Sequence, residues 1–278
     1  MGITIRRGRP EDAKLIAWCM LMAGRSHLKI GIWDLIISQP EAKCLEFLEM
    51  LTLQGPRHMS YYTDFLVAEV DGKPVAALEA FDPVTNGEET MAGPMAAVIE
   101  KMGLTQEDMA PGQKSLEAFF TCHADFAPGA WVIEQVATRP EYRRMGVISK
   151  LLQAVLDKGR KHGFHLAQVA FYIGNTAAER SYKKAGFKHV DEKRHPDFQR
   201  AIGCPGIVRL ERLERRRRPL GRTPDQSPGD RRARGHQQQS GDRHSPQRQM
   251  EAPPGGLQAR GNPGPEIVGR LNLAAESL

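Results

Sequence analysis

Two arginines and a glycine, Arg143, Arg144 and Gly146, stand between an apolar run at residues 131–137 and a segment in which Val147, Leu151, Leu152, Val155 and Leu156 recur at helical spacing. A strand that turns here into a helix beginning at Met145 or Gly146 leaves the first amides of that helix without acceptors, facing whatever lies beyond the strand end. Gly146 allows a close backbone approach, Pro140 helps to set the direction of the turn, and the two guanidinium groups add positive charge. The chemistry on offer is capture of an anion, and a diphosphate fits it. A glycine turn before a helix also occurs in proteins that bind no phosphate, so the surrounding residues must decide.

The elements that have to position this turn can be traced from the N-terminus. Residues 3–5 alternate apolar and polar, and Arg9-Pro10-Glu11-Asp12 supplies a turn and an acidic helix start before the apolar segment 15–22. A second helical region follows, with Ile32, Leu35, Ile36, Leu45, Leu48 and Leu51 at helical spacing and an interruption at Pro40. Asp71-Gly72 separates two apolar runs, 64–70 and 74–81, and predicts an antiparallel hairpin. Residues 83–129 read as an insertion of short helices, 95–102 and 115–120, broken at Gly103 and at Pro111-Gly112. Beyond the turn come a strand with Ala167, Val169, Phe171 and Ile173 alternating, and a short helix opened by Gly174-Asn175-Thr176 and ended by Ala185-Gly186. A strand from Phe187 and a last one at 207–213 complete the series. The charged stretch from Asp191 to Phe198 reads as a loop or a solvated hairpin tip.

Charge is distributed unevenly. Of the 39 basic residues 12, all arginine, lie after Glu214 together with 6 of the 33 acidic ones, so the whole formal charge of +6 sits in that segment and the body is neutral. The same segment is rich in Pro, Gly, Gln and Ser and has no Phe, Trp, Tyr or Cys, a composition that cannot bury enough apolar area to offset its ordering entropy. The expected organisation is a folded domain at 1–213, with its insertion at 83–129, and a disordered Arg/Pro/Gly-rich tail at 214–278. An out-of-frame read of a GC-rich gene would produce the same bias in the tail. Cys19, Cys44, Cys122 and Cys204 are scattered without the short paired spacing of a zinc or redox site, so no metal is expected and a reducing, cytoplasmic location is the default. No signal-peptide run and no stretch approaching about 18 apolar residues occurs, which argues against membrane insertion.

The stretch Val136-Ala137-Thr138-Arg139-Pro140-Glu141-Tyr142-Arg143-Arg144-Met145-Gly146-Val147-Ile148-Ser149 resembles the acyl-CoA signature of the GNAT superfamily of N-acyltransferases. That signature runs Gln or Arg, two residues, Gly, one residue, then Gly or Ala; Arg143 and Gly146 match, and Ile148 stands where the last small residue is usual. Gly174-Asn175-Thr176-Ala177-Ala178-Glu179-Arg180-Ser181-Tyr182-Lys183-Lys184-Ala185-Gly186-Phe187 is similar to the second motif of the same superfamily, in the right order and at the usual separation. The resemblance covers about 130–190 well, and the order of elements at 3–82 is compatible with it. It implies an α/β (α+β) GNAT fold, with a mixed central sheet of about six to seven strands flanked by helices and splayed strands at the acyl-CoA site.

The resemblance also implies roles. Val136, Ala137 and Thr138 would pair with the pantetheine arm of acetyl-CoA as a pseudo-strand, and the amides of Arg144, Met145, Gly146, Val147, Ile148 and Ser149, with Arg143 beside them, would hold its pyrophosphate. Asn175 would hydrogen-bond near the pantetheine or the amine; a helix N-cap is an equal and compatible reading. Tyr182 would protonate the departing CoA thiolate, with a core tyrosine as the alternative. Glu134 is the nearest carboxylate to take a proton from the amine, or else a solvated strand residue, while Glu79 and His123 are weaker candidates whose orientation nothing fixes. Trp33 is a core residue or lines the acceptor side.

The expected activity is acetyl transfer from acetyl-CoA to a primary amine by direct attack in a ternary complex, without a metal. Two alternatives stand beside it: a non-catalytic acyl-CoA sensor, suggested by Ile148, and nucleic-acid binding through the basic tail, disfavoured by the absence of aromatic residues there and by the neutral body. The acceptor, the acyl chain length and the oligomeric state, a homodimer included, are left open.

Overall fold

The structure is a computed structural model and describes residues 2–214; the calls on the segment beyond Glu214 lie outside the described residues. The chain opens with β1 (Ile3–Arg7) and, after a 3-10 turn (Pro10–Asp12), enters α1 (Ala13–Arg25). Arg6 grips the buried Asp12 carboxylate with both terminal nitrogens, at 2.6 and 2.9 Å, and Asp12 accepts the Arg9 amide at 2.8 Å, so the first strand and first helix are tied at their junction. Next come α2 (Ile32–Ile37) and α3 (Glu41–Leu53), separated around Pro40 as the sequence predicts. The hairpin of β2 (Phe65–Val70) and β3 (Lys73–Phe81) turns through Asp71 at φ 49° and Gly72 at φ 82°, the positive pair that a tight hairpin of right-handed twist requires.

The inserted segment holds a 3-10 turn (Glu88–Met91), α4 (Ala92–Met102) and α5 (Gln106–Phe120). The break expected at Pro111-Gly112 does not occur, because α5 runs through both. Gly112 serves a close approach instead: a Cβ there would lie 1.9 Å from the Leu35 carbonyl oxygen, so α5 crosses α2 backbone to backbone.

β4 (Ala130–Thr138), α6 (Val147–Lys161), β5 (Leu166–Tyr172), α7 (Thr176–Lys184), β6 (Lys188–Arg194), α8 (Pro196–Ile202) and β7 (Gly206–Leu213) complete the fold. The sheet has seven strands in the order β1-β2-β3-β4-β5-β7-β6, antiparallel except for the β4–β5 pair. It is the mixed, helix-flanked sheet expected. The segment read as a loop after Asp191 is instead the second half of β6 followed by α8, whose Phe198 is fully buried against Phe119 and Tyr172.

Each face of the sheet buries its own core. On one, α1 and α3 pack with α4 over Phe65, Val67, Ala77, Phe81 and Val132; on the other, α6 lays Val147, Leu151, Leu152, Val155 and Leu156 over Ala76, Leu78, Ile133 and Val169. Burial of each such side chain contributes about 1.5–3 kcal/mol, so this stripe fixes where α6 begins relative to the sheet. Glu214 belongs to the folded part rather than to the tail: it is buried, its amide donates to the His165 carbonyl at 2.8 Å, and its carboxylate meets Arg160 at 2.6 Å and Arg212 at 3.0 Å. All four cysteines are buried and unpaired. Among the described residues, no helix is long and apolar enough to cross a membrane.

Candidate active site

β4 and β5 pair only from Ala130↔Leu166 to Ile133↔Val169; beyond Ile133 they part, and β5 offers no further partner to residues 134–138. A bulge initiates the departure. Gln135 has φ 53°, and the β3–β4 register slips between Ala77↔Ala137 and Glu79↔Glu134. The splay leaves backbone groups of β4 facing a cleft, while its other edge is held by β3 and by the Cys19 thiol, which donates to the Ala137 carbonyl at 3.6 Å.

A cavity of about 970 Å³ fills that cleft. Glu134, Val136, Ala137, Thr138, Arg143, Arg144, Gly146, Val147, Ile148, Ser149, Asn175 and Tyr182 all line it, so residues singled out across two motifs and one strand meet at a single site. Met145 is the exception: it lies off the cavity wall, with its side chain packed in the apolar cluster beneath α6.

The turn differs in detail from the expectation. α6 starts at Val147, with Gly146 as its N-cap at φ 82°, a left-handed conformation that cannot be the first turn of the helix. Arg144 is also left-handed, at φ 64°, and Arg143 is steadied by a bond from its Nε to the Thr138 carbonyl at 3.3 Å. Among the described residues, no backbone carbonyl accepts from the amides of 144–149; the first bond of the helix is Lys150 N–H to the Gly146 carbonyl at 3.2 Å. A Cβ on Gly146 would meet nothing within 4 Å, so open space lies where a ligand would approach. Unpaired amides, the positive end of a 15-residue helix and two arginines make a site suited to a diphosphate.

Asn175 caps α7, accepting the Ala178 amide at 3.0 Å, and its amide nitrogen donates to the Ser26 hydroxyl at 2.6 Å, which ties α7 to the end of α1. Tyr182 is buried, tilted against Phe171 and edge-on to Phe187, both with ring centroids 6.0 Å away. Burial, and then the charge of Glu134, push its phenol above the ordinary range, so it carries its proton. Glu134 is half-buried on the cavity wall. Burial raises its carboxyl to about 7; the positive charge of His123 works against that rise and Glu88 adds to it. A carboxylate poised there can take and release a proton near neutral pH.

Behind Glu134 lies Glu79, its register partner on β3. It is fully buried and off the cavity wall, with one oxygen accepting the Ser60 hydroxyl at 3.3 Å and the other unpartnered. Burial, then Glu134 and Asp64, hold it far above the usual carboxylate range, in the neutral form. His123, by contrast, reaches the cavity, and its Nε2 lies 3.2 Å from Glu88. Burial opposes its charge, but the hydrogen bond it donates to Glu88 and the charges of Glu88 and Glu134 outweigh burial and raise it. Glu88 escapes sequence reasoning altogether: it is one acid among several in an unplaced segment, and only the 3-10 turn at Glu88–Met91 brings it to the wall. Gln168 anchors the far end of the insertion, accepting the Ala127 amide at 2.8 Å and donating to the Asp125 carbonyl at 3.1 Å. Trp33 lies on the wall with its indole nitrogen buried and unpartnered.

The family model described as Acetyltransferase (GNAT) family matches residues 32–187. No curated protein matches the chain. Among solved structures, a crystal structure of an acetyltransferase is similar at 20% identity, covering 76% of this chain and 100% of its own, with a TM-score of 0.57. An N-acetyltransferase from Staphylococcus aureus Mu50 has 20% identity, coverage of 75% and 99%, and a TM-score of 0.48. An aminoglycoside acetyltransferase solved in complex with coenzyme A has 16% identity, coverage of 76% and 95%, and a TM-score of 0.44. At these identities the structural likeness is one of fold, and it is the family model, spanning more than half of the chain, that decides membership: the chain belongs to the GNAT acetyltransferase family.

Proposed function

We propose that the protein transfers an acetyl group from acetyl-CoA to a primary amine by direct attack within a ternary complex. The observation that carries this reading is the convergence, on one cavity, of unpaired amides at 144–149, the free edge of β4, a carboxyl at about 7 and a protonated phenol. The amides with Arg143 and Arg144 hold the pyrophosphate, and the 136–138 edge pairs with the pantetheine arm, which brings the thioester toward Glu134 and Tyr182.

The amine arrives as an ammonium and gives a proton to Glu134. Its nitrogen lone pair then attacks the thioester carbonyl, whose oxygen is polarised by backbone donors on the splayed strand, and the C–N bond forms. As the tetrahedral intermediate collapses, the C–S bond breaks and the thiolate takes the Tyr182 proton. The nitrogen's second proton leaves to solvent or back to tyrosinate, giving amide, CoA thiol and one net proton. His123 and Glu88 set how readily Glu134 gives up its charge.

The first test is calorimetric titration of the full chain with acetyl-CoA, beside a Gly146→Glu variant that sets a carboxylate against the pyrophosphate. Micromolar binding lost in the variant supports the reading, and absence of binding to the folded protein overturns it. A sensor that binds acyl-CoA without turnover would lose nothing on substitution of Tyr182 or Glu134.

A further inference from the structure

Charge is segregated along the cavity. The Lys and Arg side chains on its wall, Arg143, Arg144, Arg180 and Lys184, all belong to the turn before α6 and to α7, whereas the carboxylates on the wall, Glu88 and Glu134, lie toward the inserted helices. One end suits phosphates; at the other, His123 paired with Glu88 offsets one of the two carboxylates and leaves one negative charge for a cation. At the acidic end much of the remaining surface is apolar, contributed by Trp33, Met91, Met95, Phe119 and Phe126. Phe126 meets Phe81 edge-on at 5.7 Å and His123 at 5.9 Å, so its position is fixed from two sides.

Among the described residues, three buried polar atoms at this end lack a hydrogen-bond partner, Trp33 Nε1, Glu88 Oε2 and His123 Nδ1. Both ends of the Gln168 amide are used in holding 125–127. The flank beside β7 is filled by α8, where Phe198 packs against Phe119 at 5.7 Å and Tyr172 at 5.9 Å, in place of an open slot for an extended chain. A sugar or a peptide backbone in this end would bury more hydroxyls and amides than these three atoms can partner, and each one left over weakens binding.

We infer that the acceptor is a small amine carrying a single positive charge and an apolar aryl or alkyl body, its ammonium beside Glu134 and its carbon body against the Trp33, Met95, Phe119 and Phe126 wall. The inference rests on the acyl-transfer reading above and adds the substrate class to it.

The test is CoA-thiol release by the full chain at saturating acetyl-CoA, with 2-phenylethylamine and hexylamine set against glucosamine and a hexapeptide with a free N-terminus. The apolar amines should exceed the other two by about tenfold or more in kcat/KM. Phe126→Ala should raise KM for 2-phenylethylamine by about tenfold while leaving acetyl-CoA affinity, which also reports folding, unchanged; Phe126→Leu takes its place if the alanine variant does not fold. Glucosamine or the peptide turning over as well as the apolar amines would overturn the substrate class and leave acyl transfer standing. So would acetyl-CoA binding without turnover of either apolar amine overturn the class. Loss of acetyl-CoA binding altogether, with no thiol released by any amine, would remove the acyl-transfer reading and this inference together.

Discussion

The two ends of the cavity are built from different materials. At the end proposed to hold the phosphates the available groups are backbone amides at 144–149 and arginines that remain in water, and their properties follow from one strand, one turn and one helix adjacent in the chain. At the acidic end they are side chains from a 3-10 turn, a loop after α5, the bulged part of β4 and α2, separated by as much as a hundred residues. Backbone amides keep their character wherever a helix starts, so the first end tolerates change around it. Carboxyl and imidazole groups owe their protonation to burial and to one another, so the second end is a coupled unit in which changing one member retunes the rest.

That difference can be broken experimentally, beginning where the effect is largest. Glu134→Gln should lower kcat by about a thousandfold with acetyl-CoA affinity intact, separating the two ends cleanly in steady-state kinetics and calorimetry. Gly146→Glu should do the reverse, weakening acetyl-CoA by about a hundredfold through like-charge contact with the pyrophosphate, at a cost of about 1–2 kcal/mol in stability because a side chain is strained at φ 82°; a folded variant that binds normally would place the phosphates elsewhere. Tyr182→Phe should cost about a hundredfold in kcat, most visibly with strongly basic amines, and an unchanged rate would return the phenol to a packing role.

The coupling within the acidic end predicts a pH signature. Because the base must be deprotonated, kcat/KM should rise through a midpoint of about 7. Removing His123 deletes the positive charge that pulls Glu134 down, so His123→Ala should move that midpoint upward; a midpoint that stays put or falls would uncouple the pair.

A smaller effect should appear in stability. Folding raises the Glu134 carboxyl from 4.5 to about 7, so the protonated form is the one that folding favours. The resulting contribution is fully present below pH 4.5 and is lost as pH rises through about 7. Glu134→Gln, which cannot ionise, should therefore gain in Tm relative to the parent at pH 8 and show no such gain at pH 4.5; melts at the two values decide it.

How much of this could be read beforehand tracks the same division. The spacing of Arg143, Gly146 and the α6 stripe placed the turn and the start of the helix to within two residues, and the differences are local. Met145 faces the core because it continues the apolar side of α6, and the helix starts at Val147 because Gly146 is left-handed. In the insertion, Pro111-Gly112 carries the local signature of a break, yet α5 continues: the contact that Gly112 allows with α2 is a tertiary gain that outweighs a local preference. Glu214, which an expected domain end at 213 assigns to the tail, is held by Arg160 and the His165 carbonyl, both about fifty residues back in the chain, as well as by the nearby Arg212.

By itself, the sequence determined the order of strands and helices around the turn, the hairpin at Asp71-Gly72, the neutrality of the body and the glycine turn into a helix start, because each depends on composition or on interactions within a turn or two of chain. The tertiary structure alone decided that Glu134 titrates near 7 while Glu79, its neighbour across the sheet, stays neutral, and that Glu88 and His123 share its wall. A residue type specifies which proton can move; the burial and the distant charges that decide when it moves exist only once the chain has folded.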